Sequence, residues 1–72
     1  MIKTNTRFFN LVMDIMTKTG DRWIDIAQKC NINVNRFQDA VKNIYCKLTL
    51  DELYSLYNNY DVSYNELFES FN

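Results

Sequence analysis

Hydrophobic residues recur along the chain at helical spacing, in five segments that are separated by residues typical of helix ends. In the first segment, Phe8, Val12 and Ile15 are four and three residues apart, which places them on one side of a helix. The spacing predicts five short helices, at about residues 7–18, 22–29, 34–43, 50–59 and 64–71. Strand-like alternation is almost absent. The pattern therefore predicts an all-α single domain over residues 1–72.

Polar residues and one glycine at the segment boundaries predict where these helices begin and end. Thr6, Asp21 and Asn33 are suitable N-caps for the first three helices. Gly20 and Asn31 are the residues best able to adopt a positive φ after a helix. Two capping boxes are predicted to open the last two helices, Thr49 with Glu52 and Ser63 with Glu66.

The first predicted helix has more large apolar residues than one core-facing side requires. Seven of the nine residues at 8–16 are apolar, and they cover about 200° of the helix circumference. The whole chain also contains five Phe, five Tyr and one Trp. Either a small core of bulky residues or a protein–protein interface accounts for this surplus.

Size and composition argue against several classes of protein. A chain of 72 residues buries only about 60% of the surface of its unfolded form, which leaves little room for a substrate cleft. Histidine is absent, so the commonest general base and metal ligand is missing. No apolar segment approaches the ~20 residues of a membrane span. We therefore expect no enzymatic activity, no cofactor, no metal, no small-molecule substrate and no membrane association.

The two cysteines and the charge distribution indicate the compartment and the kind of partner. Cys30 and Cys46 occur without a secretory signal, which favours reduced thiols in a cytoplasm. Residues 1–50 carry eight bases and four acids, a net charge of +4, whereas residues 51–72 carry five acids and no base. An oriented field of this kind fits nucleic acid or a charged protein partner, although it is also compatible with an ordinary polarised surface.

The most specific feature is the stretch WIDIAQKCNINVNRF at residues 23–37, which resembles the helix-turn-helix of the Cro and λ-repressor-like family. Ala27 stands where the two helices must approach closely, and Asn31 stands at the turn. The inward positions are occupied by Ile26, Cys30, Ile32, Phe37 and Ala40. The resemblance covers about residues 6–70 and implies a five-helix λ-repressor-like DNA-binding domain, with the helix-turn-helix at about residues 22–43. The alternative is two ordinary amphipathic helices in an α bundle.

The resemblance implies that the third helix recognises operator DNA. The contacting positions carried over from the family are Asn33, Val34, Asn35, Arg36, Gln38, Asp39 and Lys42. Asn35 and Gln38 have amides that can pair with adenine, while Arg36 and Lys42 suit phosphates. Asp39 departs from the family pattern, which usually has a neutral or basic residue at this position. A carboxylate there repels phosphate. The acidic pI of about 5.1 also differs from the basic balance expected of a free-standing DNA-binding domain.

These departures favour a second class of function. The size, the Asn-, Ile- and Lys-rich composition and the weakened third helix are similar to the modulator-of-repression antirepressors of temperate phages of low-GC bacteria. Such a protein needs an apolar patch that docks on the DNA-binding domain of a phage repressor, and acids that pair with its basic surface. Candidate interface residues are Phe9, Leu11, Met13 and Trp23 for the patch, and Asp21, Asp25 and Asp39 for the acids.

The sequence therefore predicts a small helix-turn-helix transcription regulator of a lysis–lysogeny switch, acting in the cytoplasm of a bacterial host. An antirepressor that binds the partner repressor is favoured. The alternative is a Cro-like dimeric repressor that binds operator DNA directly through the third helix. A purely structural scaffold domain is a third class. The sequence leaves open whether the chain forms a homodimer.

Overall fold

The computed structural model of the chain describes residues 3–71, which contain five α-helices and no β-strand. The helices are α1 (Thr6–Thr19), α2 (Trp23–Lys29), α3 (Val34–Lys42), α4 (Leu50–Asn59) and α5 (Tyr64–Glu69). The prediction of an all-α chain is confirmed. Each predicted helix is present, with ends within two residues of their expected positions.

Local capping chemistry explains most of these boundaries. The Asn33 side chain accepts hydrogen bonds from the backbone N–H groups at the start of α3, and Thr49 and Glu52 form the expected reciprocal box at the start of α4. Gly20 and Asn31 adopt positive φ values of 75° and 55°, as predicted for residues that end helices. These short-range interactions explain why the sequence pattern located the helices well.

Asn5, and not Thr6, caps α1, so the predicted N-cap is wrong by one residue. The side-chain oxygen of Asn5 accepts a hydrogen bond from the Phe8 backbone N–H at 3.1 Å. Its amide nitrogen donates to the carbonyl oxygen of Ser70 at 2.8 Å. The buried Asn5 side chain therefore joins the first helix to the end of the last one, a long-range contact that the local pattern does not reveal.

The predicted capping role of Asp21 is also wrong. The N-cap position of α2 is Arg22, and the Asp25 carboxylate accepts a hydrogen bond from the Arg22 backbone N–H at 3.0 Å. Asp21 instead binds the Lys29 ammonium at 2.7 Å and accepts a hydrogen bond from the Tyr60 hydroxyl at 3.0 Å. Asp21 thus connects the turn before α2 to the end of α4.

The fifth helix is shorter than the predicted segment 64–71. It ends at Glu69, where the Ser70 backbone N–H donates to the Glu66 carbonyl oxygen. At its start the Ser63 hydroxyl accepts from the Glu66 N–H at 3.4 Å, but among the described residues the reciprocal half of the predicted capping box does not form. Phe71 follows the helix and is part of the core. Its ring packs on that of Phe8, with the ring centroids 4.7 Å apart.

The core lies where α1 packs on α3, α2 packs on α3, and α4 packs on α5. Phe8 is at its centre, with its ring edge-to-face on Phe37 at 5.7 Å. The inward positions predicted for the helix-turn-helix stretch are all buried; these are Ile26, Ala27, Cys30, Ile32, Phe37 and Ala40. Ala27 is fully buried, and its carbonyl oxygen accepts from the Ile32 N–H at 2.9 Å. Because Ala27 is fully buried, a larger side chain at this position would overpack the core.

Candidate functional site

The outward side of α3 carries three polar side chains of mixed charge. At 100° per residue, Asn35, Asp39 and Lys42 lie opposite the buried residues Phe37 and Ala40. Asp39 is exposed and pairs with none of the described basic side chains. The outer surface of α3 therefore presents one amide, one acid and one base, which is a poor match to a row of phosphates.

Two further residues predicted to contact DNA are engaged within the chain. The Asn33 side-chain oxygen accepts from the backbone N–H groups of Asn35 and Arg36 at 2.9 and 3.2 Å. The Arg36 guanidinium binds the Glu52 carboxylate with two hydrogen bonds, at 3.1 and 2.6 Å. This hydrogen-bonded pair lowers the pKa of Glu52 and raises the pKa of Arg36. Arg36 thus connects α3 to α4, and a phosphate contact would have to replace a bidentate ion pair.

An apolar groove lies along one side of α3, between this helix, α1 and the start of α2. It has a cavity volume of about 530 Å³. Its lining residues are Thr4, Phe9, Val12, Met13, Met16, Trp23, Gln38, Val41 and Lys42. The structure therefore brings together three of the predicted partner-interface residues, Phe9, Met13 and Trp23, with two of the predicted α3 contacts, Gln38 and Lys42.

The groove exists because the apolar side of α1 is wider than the core. Phe8, Val12 and Ile15 are buried, while Phe9 and Met13 are 42% and 43% exposed. Trp23 closes the groove at the α2 end and lies 6.4 Å from the Phe37 ring, centroid to centroid. The surplus of apolar residues in the first predicted helix thus forms part of a concave surface.

Leu11, Asp21 and Asp25 do not join this groove. Leu11 lines a separate, more polar depression of about 340 Å³ with Arg7, Asn10, Asp14 and Glu66. Asp21 is held by Lys29 and Tyr60, and Asp25 caps α2. Of the three acids predicted for a repressor-binding surface, only Asp39 is exposed and unpaired within the described chain.

A second apolar surface, on α4 and α5, was not among the predicted site residues. It consists of Leu50, Tyr54 and Tyr57 on α4, with Tyr64 and Phe68 on α5, and we call it the aromatic face. Tyr54 and Tyr57 are 54% and 44% exposed. In the sequence, Leu50, Tyr54 and Tyr57 are spaced by four and three residues, which places them on one side of α4. That side lies next to the one that carries the buried Leu53, Leu56 and Tyr60. Of the adjacent residues Leu56 and Tyr57, the structure buries Leu56 and leaves Tyr57 exposed.

Other chemistry is sparse in the described part of the chain. Between residues 3 and 71, no cluster of three or more His, Cys, Asp or Glu side chains could hold a metal ion. No helix within that range is long and apolar enough to cross a membrane. Cys30 is buried, which raises the pKa of its thiol to about 11, and its Sγ lies 3.7 Å from the Ser55 carbonyl oxygen. The buried thiol therefore resembles a packing residue more than a nucleophile.

Comparison of the chain with protein-family models, curated proteins and solved structures found no match. The resemblance of residues 23–37 to a helix-turn-helix therefore rests on the chain's own residues.

Proposed function

We propose that the chain is a λ-repressor-like helix-turn-helix regulator of a phage-type genetic switch, and that it acts as an antirepressor. In this proposal, α2 and α3 form the helix-turn-helix, and the protein works in the cytoplasm of a bacterial host. It binds the DNA-binding domain of a partner repressor and so keeps that repressor from its operator. It is a binding module and not an enzyme.

The observation that carries the proposal is the apolar groove beside α3. A duplex presents phosphates and base edges, so a protein surface that reads DNA is polar and basic. The groove instead presents Phe9, Met13 and Trp23, residue types that anchor protein–protein interfaces. Gln38 and Lys42 lie on its α3 side. A partner that contacts α3 can therefore also bury apolar side chains in the groove.

The charges on α3 support the same reading. Arg36 is occupied by Glu52, and Asp39 projects from the outward side, where it would repel phosphate. Against a repressor's DNA-binding surface the same carboxylate is favourable, because that surface is rich in Arg and Lys. A single acid at this position thus opposes DNA binding and supports binding to a DNA-binding protein.

The dimensions of the molecule also favour one large protein partner. The accessible surface is 4810 Å², so a standard interface of about 800 Å² per partner would cover roughly one-sixth of it. An interface centred on the groove and α3 would cover the outward residues of α3 as well. Repressor and DNA would then compete for the same part of the chain.

The direct test uses the chain, the DNA-binding domain of the neighbouring repressor and a labelled duplex of the flanking promoter. We expect the chain alone to bind the duplex only at low salt and without sequence preference. We expect it to bind the repressor domain and to release that domain from the duplex. Failure to bind the repressor domain would contradict the proposal.

A charge reversal on α3 distinguishes the antirepressor from the Cro-like alternative. Asp39→Lys should weaken binding to the repressor domain by about tenfold or more, because like charges would face each other across the interface. Asp61→Lys, the same charge change on the exposed α4–α5 turn, is the matched control and should have little effect. Calorimetric titration of both variants would measure the difference.

The Cro-like alternative is favoured by one observation, the exposed side chains of Asn35 and Lys42 on the outward side of α3. It predicts that Asp39→Lys tightens non-specific DNA binding and steepens its salt dependence, since one more phosphate is neutralised. It also predicts that Asn35→Ala relaxes base preference by about 1–3 kcal/mol. Sequence-specific nanomolar binding at physiological salt without the repressor would establish this alternative.

A further inference from the structure

The aromatic face is a cluster of mutually contacting rings. The ring centroids of Tyr54, Tyr57 and Tyr64 lie 5.8 to 6.1 Å from one another. The Tyr57 and Tyr64 rings are nearly perpendicular, at 87°, and Phe68 stacks on Tyr64 at 6.4 Å. Leu50, which is 60% exposed, lies one turn before Tyr54. The four aromatic side chains therefore form one continuous cluster on two consecutive helices, and Leu50 lies next to it along α4.

The tyrosine hydroxyls of this face differ from the one that serves the fold. Tyr60 is buried, and its hydroxyl donates to Asp21. No hydrogen bond joins the hydroxyls of Tyr54, Tyr57 and Tyr64 to another described group. The exposed rings and hydroxyls of Tyr54 and Tyr57 are therefore available to a partner, whereas Tyr64 is half-buried and packs against the core.

The two helices that carry the face contain acids and no base. Residues 48–71 include five acids and no base. Arg36 neutralises Glu52, and Arg7 neutralises Glu69, which leaves three acids without an ion pair among the described side chains. One of them, Asp51, is exposed and lies one turn before Tyr54, on the same side of α4.

Three kinds of partner stack on exposed aromatic rings, and the charge discriminates among them. Nucleic-acid bases stack on tyrosines, but their phosphates require basic side chains nearby, and α4 and α5 carry none. A second copy of the chain would bring two negatively charged surfaces together. Guanidinium groups suit both the ring faces and the acids, because aromatic rings attract cations and Arg stacks on them.

We propose that the aromatic face binds an arginine-bearing helical segment of a protein partner. Its guanidinium groups stack on Tyr54 and Tyr57 and pair with Asp51, while its apolar side chains cover Leu50 and Phe68. This interface shares no residue with the groove beside α3. The proposal is therefore independent of the antirepressor function, and either one can fail without the other.

The test uses a synthetic amphipathic helical peptide with Arg and Leu on one side, together with a matched peptide in which Glu replaces Arg. NMR titration of the 72-residue chain should show saturable shifts of the Tyr54, Tyr57 and Tyr64 ring signals with the Arg peptide. We expect its Kd to be lower than that of the Glu peptide by about tenfold or more, and to rise with added salt. Equal affinity for the two peptides would refute the proposal.

Variants then locate the binding surface. Tyr57→Ser should raise the Kd of the Arg peptide by about threefold to tenfold. Tyr45→Ser is the matched control, because Tyr45 is 76% exposed and lies outside the face. The proposal is overturned if the two variants have the same effect. If Tyr57→Ser proves to be unfolded by circular dichroism, Asp51→Lys decides, since it should weaken Arg-peptide binding through charge alone; unchanged affinity would again overturn the proposal.

Two additional measurements address the competing occupants. Sedimentation of the chain and of Tyr57→Ser over a concentration series should reveal no dimer that depends on the aromatic face, so the two proteins should behave alike. A single-stranded oligothymidine should leave the Tyr54, Tyr57 and Tyr64 ring signals unshifted. A face-dependent dimer would assign the aromatic face to a second copy, and oligothymidine shifts would assign it to nucleic acid; either result would replace the arginine-bearing partner.

Discussion

The groove beside α3 and the aromatic face on α4 and α5 are both built from large apolar side chains that the core does not bury, yet they differ in shape and charge. The groove is concave, is lined by Phe9, Met13 and Trp23, and has Lys42 as the charged residue in its lining. The aromatic face is a layer of tyrosine rings with Asp51 beside it and with no base in residues 48–71. The first shape accepts apolar anchors of a partner, whereas the second offers ring surfaces and negative charge.

The difference shows that an apolar surplus in a small domain does not by itself define one interface. What distinguishes the two surfaces is the polar chemistry carried by or placed next to the apolar groups. Two tyrosines at the end of α4 show this. Tyr60 is buried and its hydroxyl donates a hydrogen bond to Asp21, whereas Tyr57 is 44% exposed. The same residue type thus supports the fold at one position and forms a surface three residues away.

The largest expected effect is on the core that both surfaces share. Ala27 on α2 is fully buried, so Ala27→Leu should overpack the core and cost about 1–3 kcal/mol of the free energy of unfolding. Gln28→Leu places the same side chain on the exposed side of α2 and should change stability by less than about 0.5 kcal/mol. Thermal melts of both variants measure this, and an Ala27→Leu variant as stable as the parent would contradict tight packing around Ala27.

Crossed variants test whether the two surfaces are independent. Met13→Glu places a charge in the apolar groove and should weaken binding to the repressor domain by about tenfold or more. It should leave the affinity for the Arg peptide unchanged. Tyr57→Ser should have the reverse pattern, and the double variant should show both losses additively, because the sites share no partner. Titrating all four proteins with both ligands would reveal any coupling; a clear departure from additivity would mean that one continuous interface spans both surfaces.

Much of the fold could be predicted from the sequence because the helix boundaries depend on local chemistry. Asn33, Thr49 and Gly20 act within one turn of their own positions, and each was identified correctly. The N-cap of α1 was not identified correctly. Asn5 takes this position instead of Thr6, and its side chain also donates a hydrogen bond to Ser70, 65 residues away along the chain. Errors therefore occurred where a residue's role is decided by a distant partner.

The candidate site was predicted only in part for the same physical reason. Helical periodicity showed that α1 has too many apolar residues, but it could not show which of them a neighbouring helix covers. Phe9 and Met13 line the groove, whereas Leu11 lies on another side of α1. The engagement of Arg36 by Glu52 joins residues from different helices, and spacing within either helix does not indicate it.

The smallest expected effect concerns Asp21, which joins the turn before α2 to the end of α4. The Lys29 ammonium, with a further contribution from the Tyr60 hydroxyl, holds the pKa of Asp21 below its usual range. A carboxyl whose pKa is lower in the folded chain than in the unfolded chain stabilises the fold above its unfolded pKa, and this contribution is lost as the pH falls through the folded pKa.

Asp21→Asn should therefore be less stable than the parent at neutral pH, by less than the loss from Ala27→Leu. The difference should begin to shrink below about pH 4, where the Asp21 carboxyl of the unfolded chain becomes protonated, and should go on shrinking until the folded carboxyl is protonated as well. Urea unfolding of both proteins from neutral to acid pH measures the effect, and Asp39→Asn is the matched control because Asp39 pairs with none of the described basic side chains. A stability difference that stays constant or widens in acid would show that the Asp21 carboxylate does not connect the turn before α2 to the end of α4 in the way its geometry indicates.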